Sequence, residues 1–559
     1  MLSSPAKNHL ILITVIWLTQ IWLTISIPED FNDDETEVTT KWSRIKGKVE
    51  TVADGRKIRS FLGVPYAKPP VGRLRYRPPK PLTSSRGFRR RQGVFQATRF
   101  GPQCPQHAAF ADQGIRISEN CLYLNIWTPM DASPERRYPV LFYIHGSGFA
   151  GGSAGRPTER GDFLAALGNV VMVAPNHRLN FLGTAYGATD EMPGNEMVHD
   201  LIMALRWTHA NIAQFGGDPD QVTLSGMSSG SILASMVLIS PLTPYGLFNK
   251  VILMSGVAIG PYMIWDEKRE LMKTKTMASK LGCVKSGQVN ETSPLTRRQM
   301  RCLRRKSTRS IAKSMGLKRP LPMFGDALMP LPMDQILEIT APVRGYPMLV
   351  GLEDIEDLWT FNFVGKTKEE ARAYLEATIK SVDSTASTQE IRGILDNYYL
   401  DSVAENDSVS IKNVVGSVFS DVTFHCTVLL FMERLAPYNE VYFYFNHYPL
   451  ARNEAKSTKV QSQHADDAHL LLGQPFRFPD LYNDTDRRVA AGLIDVLSDF
   501  IRSGKTFWPP MQRLNGTVQP TRWNIGASLD RGPGSVDVYS KREVCMRWGR
   551  LMNIRIPDN

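Results

Sequence analysis

The 559-residue chain has only six cysteines, and no two of them form a Cys-x-x-Cys pair. That spacing leaves zinc-ribbon and thioredoxin-type redox chemistry without support. Internal repeats, low-complexity blocks and Gly/Ser/Pro-rich linkers are also missing, so nothing divides residues 41–559, which are expected to form one domain. The last residues, WGRLMNIRIPDN, carry no hydrophobic tail, so neither a GPI signal nor a C-terminal span is expected. Acidic residues are the scarcer sign: 66 Lys and Arg face 55 Asp and Glu, a formal charge of +11. The excess is concentrated in RGFRRRQG (86–93) and RRQMRCLRRKSTR (297–309). Neither cluster carries an RNA-binding or zinc-finger pattern, so nucleic acid is not an expected partner. The ordinary reading is solvated surface, and the functional one is contact with an anionic glycan or membrane surface.

At the N-terminus, Lys7 precedes an apolar run from Leu10 to Ile27, with small residues at Thr24 and Ser26. Residues 1–26 read as a cleaved secretory signal, with a retained anchor helix as the competing reading. Residues 27–40, which include EDFNDDETE, read as a mobile acidic segment. Export suits the cysteines Cys104, Cys121, Cys283, Cys302, Cys426 and Cys545, whose spacing alone permits about 15 pairings. It also suits glycosylation sequons at Asn290, Asn406, Asn483 and Asn515. A secreted, extracellular glycoprotein is the expectation.

The middle of the chain alternates strand and helix signals. PVLFYIH (139–145), NVVMVAP (169–175), KVILMSG (250–256) and YPMLVG (346–351) are short apolar strands, whereas HDLIMALRWTHANIA (199–213) spaces its apolar residues at helical intervals. This predicts an α/β chain with a large, mostly parallel sheet covered by helices on both faces. Two stretches fit G-x-S-x-G: GMSSG (226–230) and GGSAG (151–155). A nucleophile elbow needs a strand, a sharp turn and then a helix. GMSSG sits between strand QVTLSG and helix SILASMVLIS, which makes Ser228 the candidate; GGSAG ends a glycine-rich loop with no helical face behind it. In the same loop, GSGFAG (146–151) mimics a dinucleotide fingerprint, but the next strand ends Pro175-Asn176-His177-Arg178 rather than in an acid, which argues against a nucleotide site. The loop can instead supply the N–H groups of Ser147 and Gly148, joined by that of Ser229, to an oxyanion.

These features, with FLGVPYAKPPVGRLRYRPP (61–79), SENCLYLNIWTP (118–129), FYIHGSGFAGGS (142–153), PGNEMVHDLIMALRWTHANIAQFGGDPDQVTLSG (193–226) and GLFNKVILMSG (246–256), resemble the type-B carboxylesterase/lipase family, an α/β-hydrolase family that includes cholinesterases and catalytically dead adhesion proteins. The resemblance covers nearly all of the chain after the signal. It implies a carboxylic-ester hydrolase that needs no metal or organic cofactor. GLEDIEDLW (351–359) places the family's acid at Glu356, where the residues alone leave Glu353, Asp354, Glu356 and Asp357 competing. HADDAHLLLGQP (464–475) places the family's base at His464 rather than His469. The order Ser228, Glu356, His464 is that of α/β-hydrolases. The resemblance also implies the disulfides Cys104–Cys121, Cys283–Cys302 and Cys426–Cys545. The first two are each worth ~3 kcal/mol by loop entropy, and the third, which would tie down the C-terminus, ~4–5 kcal/mol.

Three positions depart from the family pattern: Met227 stands where Glu is usual, Ser229 where Ala is usual, and Ser147 where the oxyanion loop has glycine. A positive φ at Ser147 would strain it. Loop 105–120 lacks the tryptophan that binds choline by cation–π attraction in cholinesterases, although Trp359 and Tyr262 are candidates for an aromatic pocket. The expectation is therefore an esterase for small uncharged esters. The alternatives are a non-catalytic adhesion protein on the same scaffold and a divergent cholinesterase.

Overall fold

Apolar runs such as VLFYI and VILM have no polar face to offer water, so they form strands covered on both sides. The computed structural model describes residues 36–552 except 53, 84–89, 92, 261–266, 291, 316–320, 332–334, 336–342, 344, 357–362, 383–385, 455–460, 515–516 and 530–535. The signal segment, most of the 86–93 cluster, Asp357, Trp359, Tyr262 and Asn515 therefore lie outside the described residues. The chain divides into a unit Met1–Glu37 and a unit Val38–Asn559, and the architecture below belongs to the second.

Its main sheet has eleven strands: β1 (Lys48–Thr51), β2 (Lys57–Pro65), β3 (Tyr123–Pro129), β4 (Tyr138–Ile144), β5 (Val171–Pro175), β6 (Gly217–Met227), β7 (Lys250–Met254), β8 (Met348–Glu353), β9 (Val441–Asn446), β10 (Thr521–Ile525) and β11 (Val536–Val538). Their spatial order is β11-β10-β9-β8-β7-β6-β4-β5-β3-β2-β1. From β5 through β10 every neighbouring pair is parallel. Strand β11 at one edge, and β3, β2 and β1 at the other, join antiparallel.

Side chains alternate across this sheet. Val140, Phe142 and Ile144 of β4 pack into one apolar layer, with Leu201 and Leu205 of helix α2 (Glu196–Asn211) and Leu233 and Val237 of α3 (Ser229–Ile239). Leu141 and Tyr143 face the other layer, where Phe163 and Leu164 of α1 (Asp162–Gly168) meet Leu493 and Leu497 of Asp484–Ser503. The expected sheet with two helical faces is what forms.

All three disulfides pair as the family resemblance implies. Cys426–Cys545 ties the helix Arg542–Leu551 to the helix Cys426–Leu435. The apolar stretch Ser408–Leu435 is long enough to cross a membrane, but 83% of its most apolar window is buried inside the protein. One expectation changes: the mobile acidic segment does not extend to residue 40. Glu37–Thr39 is a strand, Val38 is buried, and Thr40 Oγ1 closes a turn by donating to the Ser43 carbonyl at 2.9 Å. An apolar side chain and a turn-forming threonine follow the acidic run, and at residues 37–40 they order the chain.

Candidate active site

The turn after β6 is as cramped as the G-x-S-x-G spacing requires. A Cβ on Gly226 would meet the carbonyl of Gly230 at 2.3 Å, and a Cβ on Gly230 would meet the Ile144 carbonyl oxygen at 2.1 Å. Between them Ser228 adopts φ 57° and ψ −126°, outside the usual region for an L-residue, which costs ~1–3 kcal/mol. The fold holds it there: the Ser228 N–H donates to the Met254 carbonyl at 2.8 Å, and the Ser228 carbonyl accepts from Ile232 N–H at 3.0 Å. Ser228 thus caps α3 at its positive end, where developing negative charge is favoured. Met227 is buried, and its Cε lies 3.0 Å from where a Cβ on Gly146 would stand. GGSAG, by contrast, runs into a single 3₁₀ turn at Pro157–Glu159.

Glu356 lies just past the carboxyl end of β8, and His464 follows β9. Their loops are stitched together: Ile355 and Gln463 form a parallel bridge, and the His464 N–H donates to the Ile355 carbonyl at 2.8 Å. This brings His464 Nδ1 to 2.5 Å from Glu356 Oε2. The other carboxylate oxygen, Oε1, accepts from Ser255 Oγ at 2.6 Å and from the Glu353 N–H at 2.9 Å, while the Glu356 N–H donates to Ser420 Oγ at 2.9 Å. Glu356 is 1% exposed. The Phe424 ring packs 4.9 Å from that of His464. On the opposite side of the imidazole, Nε2 is buried with no hydrogen-bond partner, so it stops short of a bond to Ser228 Oγ. Such contacts often close only around a substrate.

The competing residues have other tasks. Glu353 accepts from the Asp467 N–H and from Asn446 Nδ2, both at 2.8 Å; burial and the nearby Asp467 raise its carboxyl well above the usual range. Burial likewise pushes Asp467 up to about 6. Asp354 bonds His447 at 2.6 Å. His469 is half-buried beside Asp466 and Arg452, and desolvation lowers its pKa. Sequence reasoning missed Ser255, Ser420 and Phe424; the only signal was a small polar residue just past β7.

Before α1, the loop after β4 turns through three consecutive positive φ values: Ser147 at 94°, Gly148 at 62° and Phe149 at 60°. Ser147 therefore carries the strain that its substitution for glycine implied. Among the described residues, the N–H groups of Ser147, Gly148 and Ser229 donate to no protein acceptor. Behind this loop His145 and His177 stack at 4.7 Å, and burial lowers both pKa values. A separate cleft of about 380 Å³, walled by Phe100, Phe163 and Phe476, contains none of these groups. Among the described residues, no cluster of three His, Cys, Asp or Glu side chains is arranged to hold a metal ion. Asn290, Asn406 and Asn483 are all exposed.

A mostly parallel sheet with helices on both faces, and a strained serine turn at the carboxyl end of a central strand, define the α/β-hydrolase fold. The Carboxylesterase family profile matches residues 34–525. The chain belongs to the carboxylesterase family and is by class a carboxylic-ester hydrolase. It is similar to acetylcholinesterase-1 of Trittame loki (28% identity over 498 residues, 83% of this chain and 86% of that protein). It is also similar to the medium-chain fatty acyl-CoA hydrolase precursor of Anas platyrhynchos (29% over 498 residues, 84% and 85%) and to carboxylesterase 1C of Mus musculus (27% over 558 residues, 92% and 94%).

Proposed function

We propose that this protein is a secreted serine esterase that cleaves small uncharged carboxylic esters through Ser228, His464 and Glu356. One observation carries the reading: a half-buried imidazole bonded to Glu356 through Nδ1, with its buried Nε2 left unpaired. Bonding at Nδ1 selects the tautomer whose Nε2 has a free lone pair, as a general base requires. Nε2 takes the Ser228 proton as Oγ attacks the ester carbonyl, then returns it to the departing alcohol. Glu356 stabilises the imidazolium in between. The N–H groups of Ser147, Gly148 and Ser229 receive the alkoxide oxygen, and water then repeats the cycle on the acyl-enzyme. The apolar Met227 and the tryptophan-free loop 105–120 favour neutral esters over choline esters.

Fluorophosphonate labelling of the purified protein, with Ser228→Ala as control, tests this reading. Labelling of the parent alone supports the enzyme, whereas no labelling of a correctly folded parent would leave an adhesion scaffold. A faster rate on a choline ester than on a neutral short-chain ester would favour the divergent cholinesterase.

The same reading takes residues 1–26 as a cleaved signal, residues 41–559 as one catalytic domain, and Asn290, Asn406, Asn483 and Asn515 as glycan carriers. N-terminal sequencing and a mass shift on glycosidase treatment of the exported protein check these assignments. The helix Arg297–Arg305 is the proposed contact for an anionic glycan. Its Arg297, Arg298, Arg301 and Arg305 are exposed, and among the described residues no large apolar side chain is exposed from 281 to 331 to enter a bilayer. Heparin-column retention that falls when Arg298, Arg301 and Arg305 become Glu supports it; unchanged retention overturns it.

A further inference from the structure

The serine that replaces glycine in the oxyanion loop is not left to carry its strain alone. Arg156 Nη1 donates to Ser147 Oγ at 3.2 Å, and Arg156 Nε donates to Asp112 Oδ1 at 2.7 Å. Asp112 belongs to the loop closed by Cys104–Cys121, and its Oδ2 accepts from Ser153 Oγ at 3.1 Å. The same loop grips the glycine-rich segment a second time: Gln106 Oε1 accepts from the Gly152 N–H at 2.8 Å, and its Nε2 donates to the Gly152 carbonyl at 3.1 Å. Asp112 is itself fixed, its N–H donating to Gln103 Oε1 at 3.0 Å and its carbonyl accepting from Gln103 Nε2 at 2.9 Å. A disulfide-closed loop therefore reaches the Ser147 side chain through one guanidinium.

We infer that Arg156, held by Asp112, is a positioning residue for the oxyanion hole. It anchors the Ser147 side chain and so fixes the peptide plane whose N–H meets the reaction oxygen. This rests on the hydrolase reading above. An L-residue at φ 94° has lower-energy conformations to relax into, and a rotation of its peptide turns the N–H away from the alkoxide. Glycine at that position holds the conformation unaided; serine needs an external anchor. The serine side chain is thus the origin of the strain through its Cβ and the handle that opposes it through its hydroxyl. The pair is well placed for this task, since Arg156 and Asp112 side chains are 27% and 13% exposed, which limits both screening and motion.

A kinetic cycle between residues 147 and 156 tests the assignment on a neutral ester. Losing one oxyanion donor costs ~100–1,000-fold in kcat, so a mispositioned donor is expected to cost ~10-fold. Arg156→Ala should lower kcat by that amount with little change in KM, and Asp112→Asn should lower it less. Arg156→Lys should restore part of the rate. In a Ser147→Gly background the same Arg156→Ala change should cost no more than ~2-fold, because the side chain it anchored is gone. Equal losses in both backgrounds, or a loss confined to KM, would overturn the positioning role. Thermal unfolding of each variant separates misfolding from mispositioning, and Arg156→Lys keeps the test open where Arg156→Ala fails to fold. A parent protein that labels with fluorophosphonate but shows no coupling removes this inference alone. A parent that neither labels nor turns over removes the hydrolase reading and this inference together.

Discussion

Replacing Glu196 with Gln should stabilise the protein, and increasingly so as pH rises. Glu196 opens α2 with no exposure to solvent, and among the described residues its carboxylate meets no side-chain donor, only weak contacts with backbone N–H groups at residues 194 and 196. Burial raises its pKa from 4.5 to about 8, against the opposing pull of Arg178. That guanidinium is committed to Asp200, with Nε to Oδ2 at 2.8 Å and Nη2 to Oδ1 at 2.7 Å. Between pH 4.5 and 8 the folded protein therefore keeps a proton that the unfolded chain has released. Stability then falls with rising pH, by ~1.4 kcal/mol per unit. Below pH 4.5 nothing is lost; at pH 7 the loss is ~3 kcal/mol, and it levels off near ~5 kcal/mol above pH 8. A neutral glutamine of nearly the same shape removes the titration. Melting temperatures of parent and variant should coincide near pH 4.5–5 and separate by several degrees, in favour of the variant, by pH 8. A separation that stays constant with pH, or a variant less stable at pH 8, would refute the reasoning.

Gly230→Ala should abolish fluorophosphonate labelling and lower stability by ~3 kcal/mol, the upper end of overpacking costs, since its Cβ would stand 2.1 Å from the Ile144 carbonyl oxygen; a labelled, stable variant would show that the elbow is not packed this way. Ser255→Ala removes the 2.6 Å hydrogen bond to Glu356 Oε1. A lost bond to a charged group predicts ~10-fold slower kcat at unchanged KM, read in steady-state kinetics. Removing Cys426–Cys545, which closes a span of 119 residues, should cost ~4–5 kcal/mol in denaturant unfolding with both cysteines replaced by Ser.

Ser228 was legible from the residues because strand, cramped turn and helix are contiguous, and each has a local pattern. Glu356 was not: four carboxyls compete over five residues, and only the family resemblance singled one out. The separation has a physical cause. Glu353 turns into the interior, Asp354 meets His447, and Glu356 is the one that, among the described residues, reaches His464, because β8 and β9 are paired in a register that no local signal encodes. His464 and His469 differ in the same way, one facing Glu356 and the other turned toward Arg452.

By itself the sequence determined the order of elements, the sheet buried on both faces and the position of the elbow, since apolar runs, glycine spacing and side-chain type all act over a few residues. The tertiary structure decided how Glu356 meets the imidazole, that a buried glutamate stands without a side-chain donor at the start of α2, and that Arg156 bridges Asp112 to Ser147. Those contacts join residues up to 108 positions apart. Their energies depend on distance and on exclusion of water, and neither exists until the chain has closed around them.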